Sequence, residues 1–181
     1  ANVVAIAYQM SIFIPPSDVQ EVWWTPILPP ALIAVTVSMT IFPLSTGLMV
    51  SLDPFCPLEE IDVEFMDRKP NFWALIPLYC DMLMESKRIP EDYDMSHLRT
   101  IGAGAEAMND RKYAEVEAFF HKHNVKAKFS AGYGQSEGCS NFTLPNPMFP
   151  LEDGCVGMPM PATVLAVFDK DLNELNYGES G

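Results

Sequence analysis

The chain reads as an α/β protein, a parallel sheet with helices on both faces plus the start of a small β subdomain at the C-terminal end. Three observations carry that expectation. Strand-like and helix-like segments alternate between residues 47 and 131. The apolar segment near Gly47–Leu52 lacks the in-out alternation of a strand wetted on one side, as strands covered on both faces do. Beyond Pro145 the texture changes to short segments set among Pro145, Pro147, Pro150, Pro159 and Pro161.

The 31 residues from Val22 to Leu52 carry no charge, long enough to raise a membrane span, which needs about 20 apolar residues. Pro26, Pro29, Pro30 and Pro43 break the run, so it is read instead as a buried helix over Ala31–Phe42 and a fully buried strand near Gly47–Leu52. Pro57-Leu-Glu-Glu opens a helix to about Arg68; Asn71–Ile76 reads as a strand, Pro77–Ser86 as a helix and Leu98–Ile101 as a short strand. Asn109 caps a helix to about His123, with Tyr113, Val116, Phe119 and Phe120 on one face, Asp110 in its first turn and His121 to His123 in its last. Lys126–Ala131 closes a third strand-helix-strand unit, and such units imply right-handed crossovers. Thr163–Phe168 followed by Asp169–Asn173 reads as a hairpin. The organisation is therefore residues 1–148 as an α/β subdomain and 149–181 as the beginning of a β-barrel-like subdomain, with a boundary near 145–155. The non-methionine start and the turn-like end at Tyr177–Gly181 suggest a piece of a larger protein.

Eleven Lys and Arg against 24 Asp and Glu leave a net charge of −13, which disfavours nucleic acid and anionic membrane as partners. The widely spaced Cys56, Cys80, Cys139 and Cys155 suit reduced core thiols in a cytoplasm. The sequon at Asn141-Phe-Thr143 stands alone and carries little weight.

The most informative residues are Gly132-Tyr-Gly-Gln-Ser-Glu137, directly after a strand-like run. An aromatic face can stack on a base for about 1–3 kcal/mol. Gly132 and Gly134 allow close backbone approach, Ser136 can reach a phosphate, and Glu137 can offer oxygen to Mg²⁺. The bland alternative is an ordinary turn. Ile101–Ala107 also follows a strand and fits the dinucleotide fingerprint through Gly102, Gly104 and Ala107. Against it, Asn109 caps the next helix beyond the glycines, and the following strand ends in Phe129-Ser-Ala, without the acid that holds a ribose. The two glycine loops instead end parallel strands and should share one carboxyl edge, where open α/β sheets bind ligands. His121 and His123 read as a solvated helix end, His97 as a surface or capping residue, and the 11 methionines mainly as core filler.

The ordered set of segments resembles the adenylate-forming superfamily of acyl-CoA synthetases, aryl-CoA ligases, luciferases and peptide-synthetase adenylation domains, over nearly the whole chain. Thr25–Pro29 and Gly47–Phe55 look like the helix and strand after its phosphate loop, and Asn71–Leu83 like its acyl-pocket strand and helix. Gly104-Ala-Glu106 is similar to its adenine-binding turn, the 132–137 segment to its Tyr-Gly-x-Thr/Ser-Glu motif, and Gly154–Pro159 to the loop opening its β subdomain. The resemblance implies ATP, Mg²⁺ and coenzyme A. It puts Tyr133 on the adenine face, Gly104, Ala105 and Glu106 along the adenine edge, Ser136 at the α-phosphate, Glu137 on Mg²⁺, and Gly132 and Gly134 at the acyl entrance.

A lysine-bearing phosphate loop, a ribose-binding aspartate and a C-terminal domain with the adenylation lysine are not found in these 181 residues. From Phe129 to Gly181 the only cation is Lys170. The expectation is thus an inactive fragment of a carboxylate-activating ligase for a fatty or other hydrophobic acid. The uncharged stretch Asn71–Cys80 favours an apolar acid over an amino acid. A peptide-synthetase adenylation domain and a Rossmann-like nucleotide-binding module without catalysis are the alternatives.

Overall fold

A computed structural model describes residues 2–14, 20–104, 108–145 and 154–181. A parallel sheet of five strands, in the order β2-β1-β3-β4-β5, forms the centre: β1 Val22–Pro26, β2 Met49–Asp53, β3 Phe72–Leu75, β4 Ile101–Ala103 and β5 Phe129–Ala131. A second, antiparallel sheet of three strands follows, β6 Tyr133–Gln135, β7 Ser140–Leu144 and β8 Met158–Pro159.

Strand pleating explains how the parallel sheet comes to be covered on both faces. Trp23 pairs in register with Phe72, and Trp24 with Trp73. Successive side chains point to opposite faces, so each pair is delivered to a different core. Trp24 and Trp73, with ring centroids 4.8 Å apart, pack with α3 Ile61–Arg68, α4 Pro77–Glu85 and α5 Asp110–Lys122 through Phe65, Leu83 and Phe120. Trp23 stacks on Phe72 at 5.4 Å and faces α1 Asn2–Phe13 and the turns beyond it, through Met10, Val37 and Phe42. Burying such large apolar side chains is the main favourable term in folding.

Several elements depart from the sequence reading. β1 occupies the first part of the uncharged run, where Trp23, Trp24 and Thr25 are β-formers that proline counting hides. The stretch Thr25–Pro29 is accordingly the end of that strand and the turn after it, not a helix. The helix expected over Ala31–Phe42 is a π-helix, Ala34–Ile41, running into the short α2 Phe42–Ser45, whose first turn accepts Pro43 because no N–H is needed there. β2 is not fully buried: it is an edge strand, with Met49 and Leu52 exposed, and its unbroken apolar character misled the period argument. The strand expected over Leu98–Ile101 begins only at Ile101. The expected hairpin at 163–173 is reduced to one bridge, Phe168 to Glu174, and Val164 is exposed. The boundary expected near 145–155 falls largely outside the described residues.

The α5 helix forms as its caps dictate. Asn109 accepts a hydrogen bond from the Lys112 amide at 2.9 Å, and His121 and Lys122 sit in the last turn. Asn109→Ala should lower stability by about 1 kcal/mol in urea unfolding with an unchanged denaturant slope. His123, expected to be solvated, is buried, its Nδ1 2.8 Å from the Tyr93 carbonyl oxygen: the helix C-terminus folds under the Tyr93 loop. His97 is half-buried, with Nδ1 2.7 Å from the Pro70 carbonyl oxygen, and burial lowers its pKa.

Asp62 is buried, and burial alone would raise its pKa, but hydrogen bonds from Arg88 and Ser86 outweigh that and hold it below the ordinary carboxylate value. A depressed acid contributes stability above its unfolded pKa and loses it as pH falls through its folded one. Asp62→Asn should therefore be most destabilising near neutrality, with the gap to wild type closing only below the usual carboxylate range, read as thermal midpoint against pH.

Candidate active site

Because all five central strands run parallel, their carboxyl ends lie along one edge. β4 pairs with β5 with Ala103 opposite Ala131, and the ladder continues past both ends: the Gly104 amide donates to the Leu75 carbonyl at 3.2 Å and that of Gly132 to the Ala103 carbonyl at 3.4 Å. The two glycine loops thus leave adjacent strands side by side, as expected. Ala105 and Glu106 lie outside the described residues. The dinucleotide reading fails on geometry. Gly102 sits inside β4, where a Cβ would meet only ordinary contacts at 3.7 Å, and the next helix begins at Asp110.

At the same edge β1 ends in an unusual turn. Ile27 adopts φ 64°, in the left-handed region that a β-branched residue rarely enters, and the Leu28 amide closes on the Pro26 carbonyl at 2.6 Å. The Ile27 amide donates to Asp53 at 2.8 Å and the Tyr79 hydroxyl to Pro26 at 3.3 Å. Such a conformation costs on the order of 1–3 kcal/mol and persists because its surroundings over-determine it.

The 132–137 segment becomes a hairpin hung from β5. Tyr133 opens β6, its amide donating to the Thr143 hydroxyl at 3.1 Å, its ring 5.9 Å from that of Phe142 and half-exposed. Ser136–Gly138 form a single 3-10 turn closed by the Cys139 amide on the Ser136 carbonyl at 3.0 Å. The Ser136 hydroxyl and Glu137 carboxylate are exposed, and neither is engaged by another described residue. Gly134 is a steric requirement: a Cβ there would lie 1.9 Å from the Ser140 carbonyl oxygen. At Gly138 it would lie 2.0 Å from the Phe142 ring. A cavity of about 260 Å³ adjoins the turn, lined by Asn2 and Gln9 of α1, Gly138, Asn141 and Thr163.

Among the described residues no three His, Cys, Asp or Glu side chains cluster as a metal cage. Glu137, one exposed carboxylate beside a hydroxyl, fits Mg²⁺ instead, which is usually held by one or two carboxylates together with substrate phosphates. Sequence reasoning passed over Ser38, Ser140 and Asn141, which support the turn from behind. Asn141 is half-buried, its amide donating to the Ser38 hydroxyl at 3.3 Å. No disulfide occurs among the described residues; Cys80 is buried and its thiol is pushed up to about 12 by that burial, as suits a core cysteine. No described helix is long and apolar enough to cross a membrane.

Two glycine segments thus leave the carboxyl edge of the parallel sheet side by side, and the second carries a Tyr-Gly-x-Ser-Glu hairpin. The chain belongs to the AMP-binding enzyme family, whose model matches residues 1–181. It is 27% identical over 118 residues to an acetyl-coenzyme A synthetase of Methanothrix soehngenii, covering 64% of this chain and 17% of that protein. Its fold is similar to that of a benzoate CoA ligase from Burkholderia xenovorans (TM-score 0.80, 17% identity, 98% of this chain and 35% of the other). It is likewise similar to MatB from Rhodopseudomonas palustris (TM-score 0.79, 19% identity, 98% and 34%). The chain therefore spans about a third of these solved relatives.

Proposed function

We propose that the chain forms the adenine- and magnesium-facing core of an ATP-dependent acid-thiol ligase in the cytoplasm, acting on a fatty or other hydrophobic acid. The observation that carries this reading is the exposed, uncommitted Ser136–Glu137 pair on a hairpin directly beyond β5, where Gly132 donates its amide to the Ala103 carbonyl at the sheet's carboxyl edge. In the reaction, a substrate carboxylate oxygen attacks the α-phosphorus of ATP while the bond to the bridging oxygen breaks. Pyrophosphate leaves, and the thiol of coenzyme A then displaces AMP from the acyl carbon. Tyr133 offers an aromatic face to adenine and Ser136 a hydrogen bond to the α-phosphate. Glu137 would hold Mg²⁺, whose charge would offset that of the phosphates. Gly132 and Gly134 keep the acyl entrance open, and Gly104, Ala105 and Glu106 follow the adenine edge. Residues 1–148 and 149–181 serve as two parts of one larger domain.

The chain taken alone is expected to be inactive. All of the arginines and Lys112 are already paired with the chain's own carboxylates, and from Phe129 to Gly181, around the Ser136–Glu137 turn, the only cation in the sequence is Lys170. Acid-dependent exchange of labelled pyrophosphate into ATP tests the reading. The whole polypeptide carrying these residues should exchange with at least one of acetate, hexanoate and benzoate, whereas residues 1–181 alone should not exceed a Glu137→Ala control. Nucleotide binding without any exchange by the whole polypeptide would favour a non-catalytic binding module.

A further inference from the structure

We infer that Ser38 is a positioning residue for the Ser136–Glu137 turn, acting through Ser140; the inference rests on the reading of that turn given above. A π-helix of eight residues, Ala34–Ile41, is a rare element, and π segments recur at functional positions. It carries Ser38, only 4% exposed, into a hydrogen bond with the hydroxyl of Ser140, only 3% exposed. Asn141 Nδ2 donates to the same Ser38 oxygen at 3.3 Å and lies 3.7 Å from Met10 Sδ, so α1 and the π-helix grip the start of β7 together.

The residues so gripped are those that leave the turn. Cys139 has φ 67° and Ser140 φ 124°, two consecutive non-glycine residues at positive φ, immediately after Ser136–Gly138. Such backbone persists only where its surroundings hold it. The Ser140 carbonyl in turn lies against Gly134, so the same residue fixes the incoming strand. Ser140 therefore touches both legs of the hairpin, and the Ser38 hydroxyl ties it to the helical layer. A satisfied buried polar pair specifies one arrangement, where an apolar pair would fill the space without fixing the hairpin. Glu137 stands three residues from this anchor.

The experiment uses the whole polypeptide in pyrophosphate exchange with acetate, hexanoate and benzoate, with Mg²⁺ varied. Ser38→Ala should lower kcat about ten-fold and raise the Mg²⁺ needed for half-maximal rate several-fold, leaving KM for the acid unchanged. Ser38→Thr, which keeps the hydroxyl, should restore most of both. Amide hydrogen exchange at residues 136–140 should quicken in Ser38→Ala and not in Ser38→Thr. Unchanged kcat and Mg²⁺ dependence in Ser38→Ala, or equal impairment in Ser38→Thr, overturns the inference. Should Ser38→Ala not fold, Ser140→Ala breaks the same bond from the other side, and wild-type Mg²⁺ dependence there overturns it equally. Glu137→Gln in the same assay separates the two failures. Full activity in Glu137→Gln means the reading of the turn is wrong; an inactive Glu137→Gln beside an unaffected Ser38→Ala means that only the anchoring role is.

Discussion

Glu137→Gln in the whole polypeptide should reduce the rate of acid-dependent pyrophosphate exchange by about 10²–10³-fold, with little change in thermal midpoint. The size follows from what preorganised charge contributes to a transition state, about 3–4 kcal/mol for one well-placed group. Stability should be spared because the Glu137 side chain is exposed and engages no described residue, so nothing in the fold depends on its charge. The defect should sit in kcat, and raising Mg²⁺ should recover part of it, since the neutral amide keeps an oxygen ligand but not the charge. A loss confined to KM for the acid would place Glu137 in the acyl pocket instead.

Gly134→Ala should be the most damaging single methyl group in the hairpin. Its Cβ would stand 1.9 Å from the Ser140 carbonyl oxygen, with the Asn141 Cα at 2.8 Å. These are backbone atoms on a strand already paired on both sides by β6 and β8, so no rotamer change relieves the overlap. Overpacking of that kind costs about 3 kcal/mol, at the upper end of its usual range. Exchange activity should fall with it, because β6 and β7 must part and the Ser136–Glu137 turn moves with them. Gly104→Ala is the matched control: a Cβ there meets nothing within 4 Å, so stability should hold. Equal stability of the two variants in urea would show that the hairpin yields where it is drawn tight.

The elements that were legible in the sequence are those with local punctuation. Asn109 and Asp110 start α5, Pro77 starts α4, and apolar residues at helical spacing face the core in both. The 132–137 hexapeptide stood out because glycine, aromatic, hydroxyl and acid in that order are jointly uncommon, and the turn it forms leaves Ser136 and Glu137 exposed. β1 was not, since two tryptophans among prolines carry no period, and their assignment to opposite cores is a matter of pairing with Phe72 and Trp73, about 50 residues away. The exposure of β2 depends on its place in the strand order, which no local pattern encodes. Ser38 and Ser140 were invisible for the same reason: each is an ordinary serine until a π-turn and two positive φ values bring them together.

All three tryptophans of the chain lie in β1 and β3, two facing one core and one the other. Intrinsic tryptophan fluorescence therefore reports on both helical layers at once, although no tryptophan lies in the last 108 residues, the Ser136–Glu137 hairpin among them. Among the three, Trp23 shares its core cluster with Cys139 at the end of the turn, so loosening of the hairpin would reach emission through that one ring. A tryptophan placed beyond β5 would give that hairpin a reporter of its own, and its unfolding could be compared with that of the two helical layers.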